Sequence, residues 1–224
     1  MNRKAIGIGY NGISLRTSEL NKALHTADYP ELPSVLGVTN IVVSSSFGPR
    51  WGGFYGADLA TLQSAGQSGK SYKFRFNRFY GGLEIPVLHR PGFNLLGRVA
   101  ISSSNLELRL YDTVADTSNF LNYLSNSSDA KLVKVGFFSL DFGLQAEIDF
   151  YRYGFLGIRG GYILNPGTWN YRHDAGKFDN GPAIGLGSWY FGVQTGLHFL
   201  RRIIRIDSWE PEYRQKKESR EQVM

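Results

Sequence analysis

Between Phe138 and Phe150 the chain alternates without a fault. Phe138, Leu140, Phe142, Leu144, Ala146, Ile148 and Phe150 share one parity, and Ser139, Asp141, Gly143, Gln145, Glu147 and Asp149 share the other. A period of two marks a β-strand with chemically different faces, because successive side chains point to opposite sides of a sheet. The pattern returns at Trp189, Phe191, Val193, Thr195, Leu197 and Phe199, interleaved with Tyr190, Gly192, Gln194, Gly196 and His198. Shorter runs set Ile6, Ile8 and Tyr10 against Gly7 and Gly9, and Ile41, Val43 and Phe47 against Asn40, Ser44 and Ser46. Others set Tyr55 and Leu59 against Gly56 and Asp58, Leu95, Val99 and Ile101 against Arg98 and Ala100, and Leu156, Ile158, Tyr162 and Leu164 against Gly157, Arg159 and Gly161. One run changes phase: Tyr72, Phe74 and Phe76 alternate with Lys73, Arg75 and Asn77, after which Phe79, Leu83, Ile85 and Val87 take the apolar parity. A β-bulge at Asn77 and Arg78 is expected to restore the facing. Eight strands result. Leu106, Leu108 and Leu110 also alternate, and either extend a strand or add a hairpin that raises the count to ten.

The connections alternate in length. Gly48 to Arg50, His89 to Phe93 and Tyr151 to Gly154 are short; Asn11 to Gly37, Ala60 to Ser71, Ser102 to Lys131 and Asn165 to Gly187 are long. An up-and-down antiparallel transmembrane β-barrel joins its strands in this way, with tight periplasmic turns and long extracellular loops. An even strand number then puts both ends of the chain on the periplasmic side. Thr17 or Ser18 is expected to cap a short helix over Glu19 to Leu24, and Thr117 or Ser118 another over Asn119 to Leu124. The barrel is expected to occupy residues 1–200 and a charged periplasmic tail residues 201–224, where too few apolar residues remain to form a core.

Alternation does not say which face meets lipid, so the opposite face decides. It carries glycines and the charges Asp58, Lys73, Arg75, Arg78, Glu84, Arg98, Asp141, Glu147, Asp149 and Arg159, five acids and five bases, with His198 toward the periplasmic end. On a soluble barrel this would be the solvent face, where glycine leaves a strand unsupported. In a narrow membrane barrel it points inward, where glycine makes room and opposite charges pair. The second reading is preferred. Glu147 and Asp149 are expected to pair with Arg98 or Arg159. Tyr10, Trp51, Phe93, Tyr162, Trp189 and Phe199 fall near strand ends, as interfacial aromatic girdles do.

Composition agrees: 27 Gly, 15 Phe and 13 Tyr stand against 2 Met, a balance that favours strands and turns. No run of about 18 apolar residues occurs, which excludes a helical span and leaves a barrel untouched. With no Cys, disulfides and thiolate metal sites are excluded. The net charge of +6 is scattered over turns and tail without a basic stripe on one element, so no nucleic-acid partner is expected. Met1 to Lys4 lacks an apolar h-region, and the secretory signal of such a protein is expected to lie outside this numbering.

From Ala5 to Leu200 the chain resembles the small bacterial outer-membrane barrels of the OmpA, OmpX and OmpW kind, especially compact barrels of Bacteroidota. The resemblance rests on the alternation, on Gly181-Pro182 before the last strand, and on the Trp189 to Gly192 opening of that strand. The chain departs from the common pattern in carrying a tail beyond Phe199 and Leu200. The resemblance implies an outer-membrane location among lipids and lipopolysaccharide, with other outer-membrane or periplasmic proteins as partners and no cofactor.

Chemistry-bearing motifs are few. Gly69-Lys70-Ser71 is not a P-loop, since the first Gly of that motif would fall on Ser64 and a strand follows where a helix is required. His25, His89, His173 and His198 are scattered without metal-ligand spacing. His173 beside Asp174 would suit a general base in a lipid- or lipopolysaccharide-modifying enzyme, an alternative set behind a solvated loop. An eight-stranded interior is just wide enough for its own side chains, so no general pore is expected. What remains is a non-enzymatic membrane scaffold, binding protein or accessory subunit of a larger complex. A soluble lipocalin-like barrel is the third reading.

Overall fold

The computed structural model describes residues 4–46, 50–66, 69–112, 131–150, 153–165, 172–173, 176–177 and 185–199. Its elements are β1 (Lys4–Arg16), α1 (Ser18–Thr26), β2 (Val35–Ser46), β3 (Gly52–Ala65), β4 (Lys70–Arg90), β5 (Phe93–Asp112), β6 (Lys131–Phe150), β7 (Gly154–Leu164), β8 (Arg172–His173), β9 (Gly176–Lys177) and β10 (Gly185–His198). The long strands pair antiparallel in chain order from β1 to β7, β7 pairs with β10, and β10 returns to β1. The sheet is therefore a closed eight-stranded barrel with no free edge. β8 and β9 form a two-residue hairpin joined to β6 through Lys134 and Arg172. Leu106 to Leu110 lengthens β5 and adds no strand pair to the wall.

Register explains the phase change in β4, and no bulge lies there. Pairing runs unbroken through Asn77 and Arg78 on both sides of the strand, and the irregularity falls at Pro86 and Leu88. Tyr72, Phe74, Phe76, Arg78, Tyr80 and Glu84 are all buried inside, while Arg75, Asn77, Phe79, Leu83 and Ile85 are exposed outside. The strand keeps its parity and its surroundings change. From Phe79 onward the outer face is apolar and the inner face polar; before it the outer face is polar and the inner face apolar. The first arrangement suits lipid outside, the second water outside, and the strand passes from one to the other within its own length.

The lipid-facing belt runs round the barrel through Ile8, Ile41, Tyr55, Phe79, Ile101, Phe142, Leu144, Ile158, Phe191 and Val193, all exposed. A continuous apolar surface of this kind is not tolerated on a soluble monomer, which sets aside the lipocalin-like reading. β4, β5 and β6 hold 21, 20 and 20 residues, and a strand needs only about 9–11 to cross a bilayer. The β3–β6 side of the wall therefore stands well clear of the membrane on the rim opposite the β4–β5 turn. That turn is Pro91-Gly92, with Gly92 at φ +80°, the left-handed value that glycine alone reaches without strain.

Two of the expected long loops are strand for much of their length. Ala60 to Ser71 is the end of a hairpin closed over residues 66–69, and Asn11 to Gly37 shrinks to residues 17–34. The latter holds α1, as expected. Thr17 sits at the helix start without a side-chain cap bond; its Oγ1 accepts from Asn21 Nδ2 at 3.4 Å. Asn21 also exchanges two 2.9 Å bonds with the backbone of Leu32, clamping the loop behind the helix. Leu20, Leu24, Tyr29 and Leu32 are thereby packed into one cluster with Ile13, Leu36, Phe74, Phe76, Leu108, Val135, Ile163 and Leu186. This cluster fills the extracellular mouth of the barrel. Lys70 fastens the far side, its Nζ bonding to Ala27 O at 2.7 Å and lying 5.4 Å from the Tyr29 ring centre. The helix expected at Asn119 to Leu124 and the tail at 201–224 lie outside the described residues.

This placement of the lipid boundary separates two outward positions. Leu144→Arg should lower the yield of folded barrel in bilayers, since a cation near mid-membrane costs about 2–4 kcal/mol. Arg75→Leu should assemble as the parent does, measured by heat-modifiable gel migration. A yield from Arg75→Leu above the parent's would place Arg75 in lipid, and a loss as large as that of Leu144→Arg would place it inside the barrel with a buried partner.

Candidate functional site

The polar interior starts from glycine. A Cβ on Gly143 or Gly161 would lie 2.2 or 2.6 Å from Tyr190 Oη, and one on Gly56 would lie 2.5 Å from Tyr80 Oη. The missing side chains leave room for two tyrosines to lie across the barrel, and the tyrosines in turn flank two arginines. Arg78 stands 5.2 Å from the Tyr80 ring and 5.8 Å from that of Tyr190; Arg159 stands 5.8 and 5.9 Å from the same rings.

Asp58 is the node. It is 0 % exposed, in an interior where an unpaired carboxylate is prohibitively costly. Arg78 Nη1 donates to its Oδ2 at 3.0 Å, and Oδ1 accepts from Asn40 Nδ2 at 2.7 Å, Asn11 Nδ2 at 3.2 Å and Arg159 Nη2 at 3.4 Å. Arg78 extends the network by donating to Asp141 and, through Nε, to Ser102 at 3.2 Å; Ser102 is bonded to Ser139 at 2.6 Å. Arg159 reaches Asn11 Oδ1 at 2.9 Å and Tyr80 Oη at 3.1 Å. Side chains of β1, β2, β3, β4, β5, β6 and β7 thus meet in one layer. A cavity of about 20 Å³, lined in part by Arg78, Tyr80, Asp141, Arg159 and Tyr190, has room for a water or two.

Toward the periplasmic rim the pairing is local. Arg98 donates to Glu84 from Nε at 3.0 Å and Nη2 at 2.6 Å, with its guanidinium 4.6 Å from the Phe54 ring centre. Glu147 accepts from Gln145 Nε2 at 2.6 Å. His198 Nε2 lies 3.1 Å from Asp149 Oδ1 and its ring stacks on Phe155 at 5.0 Å.

Nine of the eleven residues expected inside are there: Asp58, Arg78, Glu84, Arg98, Asp141, Glu147, Asp149, Arg159 and His198. Lys73 and Arg75 are not. They occupy the outer parity of β4 beyond the lipid, where the inner positions are taken by Tyr72, Phe74 and Phe76. The interior balance among the described residues is therefore five acids against three arginines and His198, in place of five against five. The expected pairing also shifts: Arg98 is held by Glu84, Arg159 by Asp58, and Glu147 and Asp149 turn to Gln145 and His198. Asn11, Asn40, Tyr80, Ser102 and Tyr190 were not singled out by sequence. Asn40 and Tyr190 carried the polar parity, Asn11 and Ser102 were expected to open long loops, and strand register with barrel closure brings the five inward. Of the histidines outside the interior, His89 bonds Asn94 across the β4–β5 turn and His25 is exposed on α1, while the side chain of His173 lies outside the described residues.

No protein-family model matches the sequence, and no curated protein matches it. Solved structures do share the fold. A major outer membrane protein from Thermus thermophilus is similar with a TM-score of 0.56 at 9 % identity, covering 88 % of this chain and 99 % of the other. The outer membrane protein OprG from Pseudomonas aeruginosa gives 0.52 at 9 % identity over 89 % and 97 %. Ail, the attachment invasion locus protein of Yersinia pestis, solved with the heparin analogue sucrose octasulfate, gives 0.51 at 13 % identity over 88 % and 99 %. The fold is that of small bacterial outer-membrane β-barrels.

Two substitutions test the interior. Arg98→Leu leaves Glu84 buried without its cation and should lower the unfolding free energy in detergent by about 3–5 kcal/mol, whereas Lys73→Leu should leave it unchanged. Gly143→Val should displace Tyr190 and cost about 1–3 kcal/mol. A stable Gly143→Val protein with unaltered near-UV circular dichroism would mean that Tyr190 does not lie over Gly143.

Proposed function

We propose that this outer-membrane β-barrel is a closed, non-conducting and non-catalytic scaffold that holds a rigid β-sheet extension above the membrane for binding. One observation carries the reading. The interior is blocked twice along its axis, by the Asp58 layer spanning seven strands and by the apolar cluster that α1 folds into the mouth. A solute crossing the barrel would have to separate buried ion pairs and then open a packed core, each costing several kcal/mol.

The energetic investment beyond the membrane supports a binding role. Strand residues before Phe79 on β4, past Ser103 on β5 and before Phe138 on β6 are not needed to cross lipid, yet they form a paired sheet with its own core. Sheet positions present side chains at fixed spacings, which a flexible loop does not. Ail, an attachment invasion locus protein solved with a heparin analogue, shares this fold, in line with a barrel that acts through its outer surface.

The test is electrical. Purified protein in planar bilayers should give no stepwise ion current, both as the parent chain and as an Asp58→Asn variant, because the cluster in the mouth still closes the axis. Discrete channels from the parent chain would replace the scaffold with a narrow pore.

A further inference from the structure

We infer that the outward face of the β4–β6 extension binds the phosphate groups of outer-leaflet glycolipid headgroups. The register brings four cations onto one outer surface: Lys73 and Arg75 on β4, Arg109 on β5 and Lys134 on β6. Lys73 is directly opposite Arg109, and Arg75 and Lys134 are the two strand neighbours of Glu107. Adjacent strands lie about 4.8 Å apart and alternate residues about 7 Å, so the four Cα positions fall within a patch roughly 10 by 7 Å. The sequence hid this patch, because its members belong to three strands and none forms a run.

Among the described residues the charge balance of this patch is unfavourable without a counter-anion. Glu107 is the carboxylate of the two rows, and Arg109 Nε takes it at 2.6 Å. No ion pair is formed by Lys73, Arg75 or Lys134 with another described residue. Like charges directly opposite across a strand pair destabilise it, and Lys73 with Arg109 is such a pair. An anion bridging the rows relieves that repulsion.

Height selects the anion's source. Arg75 precedes Phe79 by four residues on the same outward face, about 14 Å along the strand and roughly 10 Å in height for a strand tilted by about 40°. The headgroup zone lies within about 5–8 Å of the hydrocarbon edge, within reach of arginine and lysine side chains from that height. The patch lies between the lipid-facing wall and the tip of the extension, with Arg75 and Lys134 in its lower row, so what stands against that row is the layer directly above the acyl chains. In a bacterial outer leaflet that layer carries phosphorylated sugars.

The inference uses the membrane boundary and is independent of whether the interior is closed, so a conducting barrel leaves it standing. Its test compares the full-length parent, the quadruple variant K73Q/R75Q/R109Q/K134Q and the control Q63A/N77A, all folded in detergent as judged by heat-modifiable migration. Each is titrated with bisphosphorylated lipid A, with the same lipid dephosphorylated, and with soluble heparin oligosaccharide, reading the shift in thermal midpoint. Lipid A should stabilise parent and control alike, with at least about tenfold weaker apparent affinity for the quadruple variant, each cation near an anionic surface contributing about 1 kcal/mol. Dephosphorylated lipid should stabilise all three equally little. An undiminished response of the quadruple variant, an equal response of the parent to dephosphorylated lipid, or stabilisation by heparin in place of lipid A overturns the assignment.

Discussion

A carboxylate with no solvent exposure, Asp58, sits inside a barrel too narrow to hydrate it, and most of the interior follows from satisfying it. Two arginines and two asparagines are required to fill its lone pairs, and Arg78 and Arg159 are themselves buried. Arg78 then needs a second carboxylate, which Asp141 supplies from the far wall. Tyr80 and Tyr190 shield the guanidinium faces, and glycines on the neighbouring strands give the rings room. Each member is necessary because of another. A layer of this kind fixes the register of the strands that contribute to it, since sliding any one by a residue would turn a buried charge or amide into lipid.

The same strands solve a different problem a few residues further on. Once the outer face leaves lipid, polar side chains belong outside and apolar ones inside, the rule for a protein in water. β4 shows the exchange most plainly: Arg78 is buried and Phe79 exposed, whereas Phe76 is buried and Arg75 exposed. Two stacked interiors result, ionic in the membrane and apolar above it, with α1 completing the upper one. The outward cations Lys73, Arg75, Arg109 and Lys134 belong to that upper storey.

Strand identity and facing were legible in the sequence wherever lipid lay outside, because there the two faces differ most. The lipid-facing parts of β6, from Phe138 to Phe150, and of β10, from Trp189 to His198, were read residue by residue. The sequence also indicated α1 and the Pro91-Gly92 turn region. It misled at Asn77 and Arg78, where a change of solvent looks identical to a change of register, and Lys73 and Arg75 were consequently placed inside. Long loops were overestimated for the same reason: Thr61 to Ala65 lacks an apolar outer face because it stands in water while still paired. The convergence of Arg159 on Asn11, Asp58 and Tyr80 depends on ring closure between β1 and β10, a contact that no local pattern encodes.

The central claim is that the Asp58 layer is a coupled, desolvated network and not a set of side chains lining a wet lumen. A double-mutant cycle between Asp58 and Arg78, with each replaced by Ala and unfolding followed in detergent, measures that coupling directly. Their 3.0 Å contact, with both groups almost fully buried, predicts a coupling of at least about 1.5 kcal/mol. A coupling below about 0.5 kcal/mol, the range of solvent-exposed ion pairs, would contradict it and open the interior to water.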